Sequence, residues 1–306
     1  MRVLVTGSSG TIGTRLCEAL LDRGDDVIGV DRVPNIWQPR VQERTIVADL
    51  LTPASLSGVP TDVDGIVHLA ANARVYDLVQ DPAGALENVT TCFHTLEWAR
   101  VNQVKSFIFA SSRETYGNTR RDHYSEEHAH HDTCESSYSA SKFAGEALVH
   151  AYRRCYGLQT VIFRFSNVYG MYDESNRVIP LFIRQALAGE ALRVFGEQKT
   201  LDFTYIDDTV QGILQALDRC DRINGLTFNL GTGQGTSISH LANRICTLLG
   251  VPHLPIHHAP SRVGEITHYV ADITRARTLL GYQPETLFDA GIEKAVDWYT
   301  SQGPRS

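Results

Sequence analysis

Nowhere among the 306 residues do eighteen consecutive apolar side chains occur. A helix needs about that many to cross a hydrocarbon core, so no span and no membrane partner are expected. A basic surplus is also missing: 28 lysines and arginines stand against 35 acidic residues, a net charge of −7. Nothing is left over to neutralise a nucleic-acid backbone, and no nucleic-acid partner is expected. Paired cysteines are absent as well. Cys17, Cys92, Cys134, Cys155, Cys220 and Cys246 are scattered without a C-x-x-C pair, which suits free thiols in a reducing cytoplasm. The chain enters the strand-like "RVLVTG" at once, with no charged and then apolar leader ahead of it, so a cytoplasmic location is expected. What is present is ordinary for a globular enzyme: 42% apolar and 21% charged residues.

Short, β-branched runs recur through the first half: "RVLV" (2–5), "DVIGV" (26–30), "TIVA" (45–48), "GIVHLA" (65–70), "SFIFA" (106–110) and "TVIFR" (160–164). Such runs suit strands buried on both faces of a parallel sheet. Helical patterns over 11–23, 84–101 and 137–156 lie between them. The alternation predicts a doubly wound α/β parallel sheet with right-handed crossovers. Beyond about residue 166 the pattern loosens into helices over 178–188, 207–219, 236–249 and 285–301, with short strands near 192–195 and 226–229. The expected division is a dinucleotide-binding domain over 1–165, to which about 203–223 returns, and a smaller α/β substrate-binding lobe from 166–202 and 224–306.

"VTGSSGTIG" spaces Gly7, Gly10 and Gly13 between a strand and a helix. Glycines there permit a tight turn and let the backbone approach a pyrophosphate, whose charge suits a helix N-terminus. Asp31 ends the next strand, "VIGVD", eighteen residues beyond Gly13. A carboxylate at that place accepts from an adenosine ribose 2′-hydroxyl and repels a 2′-phosphate, so NAD is expected over NADP despite the neighbouring Arg32.

"SSYSASKFAGE" puts Tyr138 and Lys142 one helical turn apart, and "FASSRETYG" ends a predicted strand with Ser112. Together, Ser112, Tyr138 and Lys142 resemble the catalytic set of the short-chain dehydrogenase/reductase superfamily. "HLAA" (68–71), "RFSNVYG" (164–170) and the spacings are similar to its extended branch, the nucleotide-sugar epimerases and dehydratases, over essentially the whole chain. The resemblance implies a Rossmann domain with NAD against Gly7, Gly10, Thr11, Ile12, Gly13, Asp31, Arg32, Asp49, Leu50, Leu69, Ala70, Ala71, Asn88, Tyr138, Lys142 and Phe165. The chemistry needs these residue types. A free tyrosine has a pKa of about 10, too high for a base at neutral pH. An ammonium one turn away, beside a cationic nicotinamide, favours the phenolate that takes a proton from a sugar hydroxyl. Ser112 would hold the same oxygen.

Oxidation at C4 is common to the branch, and the neighbouring side chains decide the fate of the ketone. A 4,6-dehydratase of the family usually carries Asp-Glu after the catalytic hydroxyl; here the pair is Arg113-Glu114. Arginine cannot surrender a proton, so that reaction falls. UDP-glucuronate decarboxylases also carry the glutamate and stay as a competitor. A UDP-sugar 4-epimerase, needing no acid beyond Tyr138, is the leading expectation. A non-catalytic NAD-binding regulator is the rival of a different class.

The resemblance further implies a UDP-sugar site from Ser112, Arg113, Tyr138, Asn167, Arg177, Val178, Arg193, Phe195, Arg262 and Tyr269. Of these, Asn167 and Arg262 fall to the diphosphate, and Arg193 and Phe195 to the uridine edge. Leu201 stands where the family usually has a second phosphate-binding arginine, so either the nucleotide is held differently or another cation such as Lys199 takes its part. Arg177 falls where related epimerases face the sugar with a neutral amide, and an arginine there suits a carboxylate, which makes UDP-glucuronate the expected substrate over UDP-glucose. Tyr269 matches a bulky pocket position in epimerases that exclude N-acetylated sugars. A homodimer through 84–101 and 137–156 is the family's habit. The cluster "EEHAHHD" (126–132) lacks a metal-binding spacing and is expected to be a solvated loop, with no metal.

Overall fold

Alternate side chains of the first strand point to opposite faces, and both faces are apolar. Val3 and Val5 join one core, with Leu16, Cys17 and Leu20, while Leu4 joins another, with Cys92, Leu96 and Val149. Such a strand has to lie between two layers of helix. The computed structural model describes residues 1–302, and the last four positions of the expected lobe, 303–306, lie outside the described residues.

The strands are β1 (Arg2–Thr6), β2 (Asp26–Asp31), β3 (Thr45–Val47), β4 (Gly65–His68), β5 (Ser106–Ser112), β6 (Gln159–Phe165), β7 (Asn167–Tyr169), β8 (Leu192–Phe195), β9 (Thr200–Tyr205), β10 (Leu226–Leu230), β11 (Gly235–Ser237), β12 (Ile256–Ala259) and β13 (His268–Tyr269). The α-helices are α1 (Thr11–Asp22), α2 (Pro39–Gln42), α3 (Val75–Gln80), α4 (Ala83–Val101), α5 (Ser137–Tyr156), α6 (Val178–Leu187), α7 (Ile206–Leu217), α8 (Ile238–Leu248) and α9 (Phe288–Ser301). Seven parallel strands form the main sheet in the order β10-β6-β5-β4-β1-β2-β3. Helix α1 packs beside α7 on one face, and α4 beside α5 on the other. The strand order reverses between β1 and β4, and a crevice opens there beyond the strands' carboxyl ends.

The structure departs from the sequence reading in three places. Strand β4 stops at His68, so Leu69–Ala71 form the loop that leaves the sheet. Segment 226–230, expected in the smaller lobe, pairs in parallel with β6 and closes the main sheet's edge. The smaller lobe has more strand than expected: β7, β11 and β13 all pair with β9, and β8 pairs with β12. Asp202 holds that lobe together from inside. Its buried carboxylate accepts from the backbone N–H of Thr232 (2.9 Å), Gly233 (2.9 Å) and Ala271 (3.2 Å) and from the Thr232 hydroxyl (2.8 Å). Among the described residues no helix is long and apolar enough to cross a membrane.

Candidate active site

Gly7 follows β1 at φ 75°, and a Cβ there would stand 2.8 Å from the backbone nitrogen of Ala70. At Gly13 a Cβ would collide with the Gly7 carbonyl, so α1 can approach β1 this closely only as glycine. The first turn of α1 carries no side-chain cap and opens onto the crevice, where Gly7, Gly10, Thr11, Ile12 and Gly13 line one wall. Free N–H groups on a bare helix N-terminus fit a pyrophosphate. Asp31 accepts from the backbone N–H of Ser9 (3.0 Å) and Val33 (3.2 Å), which fixes its carboxylate beside the glycine turn. The residues present therefore fit a dinucleotide.

The expected cofactor residues divide by position. Leu69, Ala71, Tyr138, Lys142 and Phe165 line the crevice with the glycine turn. Arg32 is exposed, its guanidinium 3.5 Å from the Asn72 side chain, and Asp49 is exposed while Leu50 is buried. Ala70 packs against Gly7. Asn88 does not face the crevice. It accepts from the Asn72 N–H (2.6 Å) and donates to the Asn72 carbonyl (3.1 Å) and the Ser141 hydroxyl (3.2 Å), tying the loop after β4 to α5.

Helix α5 starts with a capping box between Ser136 and Ser139, which aims its first turn at the sheet's end. Tyr138 and Lys142 lie on its buried side and both line the crevice. Ser112 lines the crevice with Tyr138, and its side chain pulls the Tyr138 phenol down. It also accepts from the Glu114 N–H at 3.2 Å, so strand β5 ends with a fixed hydroxyl. Lys142 turns its ammonium to the Ala110 carbonyl (2.8 Å), 5.6 Å from the centre of the Tyr138 ring. Burial pushes the Tyr138 phenol above its ordinary value; Ser112, Arg177 and Arg113 pull it down and Glu114 pushes it up. Lys142 is not among these leading influences. Its own charge is poorly solvated: burial drops its pKa to about 8. NAD+, held by the glycine turn and Asp31, would supply a hydride acceptor with a positively charged ring.

The crevice holds about 470 Å³ and runs on from Tyr138 between the lobes. Arg113, Asn167, Arg177, Val178, Arg193, Phe195 and Arg262 line it, as do Lys199 and Leu201. Arg113 pairs with Glu114 at 2.8 Å, Lys199 with Glu265 at 2.8 Å, and Arg177 with Asp173 at 3.7 Å. Burial raises the Glu114 carboxyl above its usual range despite Arg113. Asn167 donates to the Asp202 carbonyl at 3.1 Å.

Tyr269 is not in the crevice. It is fully buried with Tyr116 and Tyr124 in a trio of rings 5.4–5.6 Å apart, because β13 lies against β9 inside the lobe. Nor is 126–132 a fully solvated loop: Glu126 is buried and accepts from the Asn229 N–H at 2.8 Å. His130, His131 and Asp132, whose ligand atoms lie within 4.8 Å of one another, are exposed and outside the crevice lining. Tyr76, Asp173 and Glu265 line the crevice unforeseen. The four-residue spacing of Asp173 and Arg177 was visible in the sequence, whereas nothing local marks Glu265 as the partner of a lysine 66 positions earlier.

Comparison with known proteins agrees with this geometry. UDP-glucose 4-epimerase of Mycolicibacterium smegmatis is 32% identical over 99% of this chain and 99% of its own length. UDP-glucuronate 4-epimerase 4 of Arabidopsis thaliana is 30% identical over 98% of this chain and 75% of its own. Among solved structures, the UDP-glucuronic acid 4-epimerase from Bacillus cereus in complex with UDP-glucuronic acid and NAD has a TM-score of 0.91 at 30% identity, covering 99% of this chain and 100% of that one. Residues 3–231, which hold the glycine turn, Asp31, Ser112, Tyr138 and Lys142, match the NAD dependent epimerase/dehydratase family. The chain belongs to that family and is an NAD-dependent enzyme.

Proposed function

We propose that this enzyme is a UDP-sugar 4-epimerase and that its substrate is UDP-glucuronate. Tyr138 takes the proton of the C4 hydroxyl while Ser112 holds its oxygen; after the ketone turns over about its diphosphate, the same phenol returns the proton. Net redox is zero, so no second substrate is needed.

The observation that carries the choice of sugar is the setting of Arg177. It stands at the N-terminal end of α6, lines the crevice, and is the strongest charged influence on Tyr138. Its pairing with Asp173 at 3.7 Å is looser than the other two ion pairs of the crevice, and its side chain is 39% exposed. A guanidinium so placed is free to take a sugar carboxylate through two charge-assisted hydrogen bonds. The curated relatives include enzymes for both UDP-glucuronate and UDP-glucose. One observation favours the neutral sugar: Arg113, Arg177 and Lys199 each have a carboxylate partner, so that end of the crevice is close to charge balance. The same reading makes the protein a cytoplasmic homodimer.

Incubation with each UDP-sugar, with products resolved by NMR, tests the assignment. Oxidising C4 of a glucuronate leaves a ketone β to the C6 carboxylate, which then loses CO2 unless the carboxylate is held out of line with the ketone. Arg177→Ala should therefore cost UDP-glucuronate roughly tenfold to a hundredfold more than UDP-glucose and release some UDP-pentose. Equal losses, or a parent enzyme confined to UDP-glucose, would remove glucuronate and leave the 4-epimerase. UDP-pentose as the parent's main product would establish the decarboxylase. A parent that turns over neither sugar would remove both substrates and point to another nucleotide sugar.

A further inference from the structure

Arg262 is held differently from three other cations of the crevice. Arg113, Arg177 and Lys199 each meet a carboxylate. The Arg262 guanidinium instead lies over two rings, 4.0 Å from the centre of Phe195 and 4.8 Å from the centre of Tyr76. The rings come from different parts of the molecule. Phe195 ends β8 in the smaller lobe, and Tyr76 is in α3, which follows the loop after β4 of the main sheet. All three side chains line the crevice.

The Arg262 loop leans on α3 as well. Gly264, at φ 81°, passes so near α3 that a Cβ would stand 2.7 Å from Val79 Cγ2. The Arg262 carbonyl accepts from the Glu265 N–H at 3.4 Å, and the Glu265 carbonyl accepts from the Asn118 side chain at 3.2 Å. The loop is thus pinned beyond Arg262, and the guanidinium is left to the aromatic faces.

A ring face engages a guanidinium through its flat side and leaves the N–H donors along its edge unspent. A carboxylate partner would consume those donors. Held by aromatic rings and not by a carboxylate, Arg262 can therefore present donors to an incoming diphosphate without first breaking an ion pair.

We propose that Tyr76 is a positioning residue for nucleotide recognition. It holds Arg262 across the mouth of the crevice so that the guanidinium edge meets the diphosphate of the nucleotide sugar, a role that Leu201 cannot share. This rests on the UDP-sugar reading above.

UDP itself is the probe, titrated calorimetrically into the NAD-loaded protein. Tyr76→Ala should weaken UDP binding by about twofold to fivefold, the range of a cation–π contact near a surface, and raise KM for whichever UDP-sugar the parent turns over by a similar factor. The kcat should not move, because Tyr138 and Ser112 are untouched. Tyr76→Phe, which keeps the ring, should match the parent. In an Arg262→Ala background, Tyr76→Ala should have no further effect, since the two act as one unit. A Tyr76→Ala protein that binds UDP like the parent would overturn the inference and leave the UDP-sugar reading intact. So would a loss that persists in the Arg262→Ala background, or a Tyr76→Phe protein as weak as Tyr76→Ala. A parent that does not bind UDP would overturn both.

Discussion

The ammonium of Lys142 reaches the floor of the crevice almost completely shielded from water, with the Ala110 carbonyl as its hydrogen-bond acceptor. Desolvation there lowers its pKa from 10.5 to about 8. Between those two values the unfolded chain binds more protons than the folded one, so stability rises with pH across the window. Below about pH 8 both states are protonated and the folded protein bears the full cost of the buried charge. In cofactor-free protein, urea unfolding from pH 7.5 to 10.5 should show the parent gaining up to roughly 3 kcal/mol relative to Lys142→Met, which buries no charge. Parallel curves for the two proteins would mean that water reaches the ammonium. The placement of Tyr138 and Lys142 was legible in the sequence, since four-residue spacing on a helix puts them on one face. Their electrostatics were not. That Arg177 and Arg113 act on the Tyr138 phenol depends on a loop and a lobe folding back over α5, which no local pattern records.

Helix α5 carries Tyr138 and Lys142, and what keeps it against the sheet is a buried ion pair rather than apolar contact alone. Glu146 accepts from Arg164 of β6 through both oxygens, at 2.9 and 2.7 Å, and from the Ser111 hydroxyl of β5 at 2.5 Å. Arg164 also donates to the Glu126 carbonyl at 2.7 Å and to the Tyr116 hydroxyl at 3.3 Å. Removing one member of such a pair strands the other charge in a medium that cannot solvate it. Glu146→Ala should therefore destabilise the enzyme by about 3–5 kcal/mol, read as a lower denaturant midpoint at unchanged slope. A loss under about 1 kcal/mol would show that Arg164 finds another acceptor or water. Nothing in "FAGEALV" marks Glu146 as buried; alone, it reads as a surface glutamate. The strands were unevenly legible for a related reason. Strands β1, β2, β4, β5 and β6 are mostly buried runs of four to seven residues, long enough to stand out, whereas β7, β11 and β13 have only two or three residues, too few to show a period. The run "LTFNL" identified β10 as a strand but held no information about which sheet receives it.

At the scale of the whole molecule, α4 poses a problem that a single chain leaves unsolved. Its inner side buries Ala85, Cys92, Leu96 and Ala99 against the sheet. Its outer side carries Leu86, Phe93 and Val101, which are 70%, 43% and 61% exposed. A helix apolar on both sides asks for cover on both. Helix α5 lies alongside on the same face of the sheet, so the two together offer the surface on which the proposed homodimer would form about a two-fold axis. The net charge of −7 on each chain opposes indiscriminate contact between copies, so association has to be carried by this apolar face. Phe93→Glu would place a carboxylate from each copy within the same desolvated layer. Light scattering at tens of micromolar should give the parent twice the mass of one chain and Phe93→Glu the mass of one. The variant should keep bound NAD, because Phe93 is outside the crevice that Gly7, Gly10, Tyr138 and Lys142 line. A parent that scatters as one chain would set the dimer aside. A dimer indifferent to Phe93→Glu would move the interface to another face.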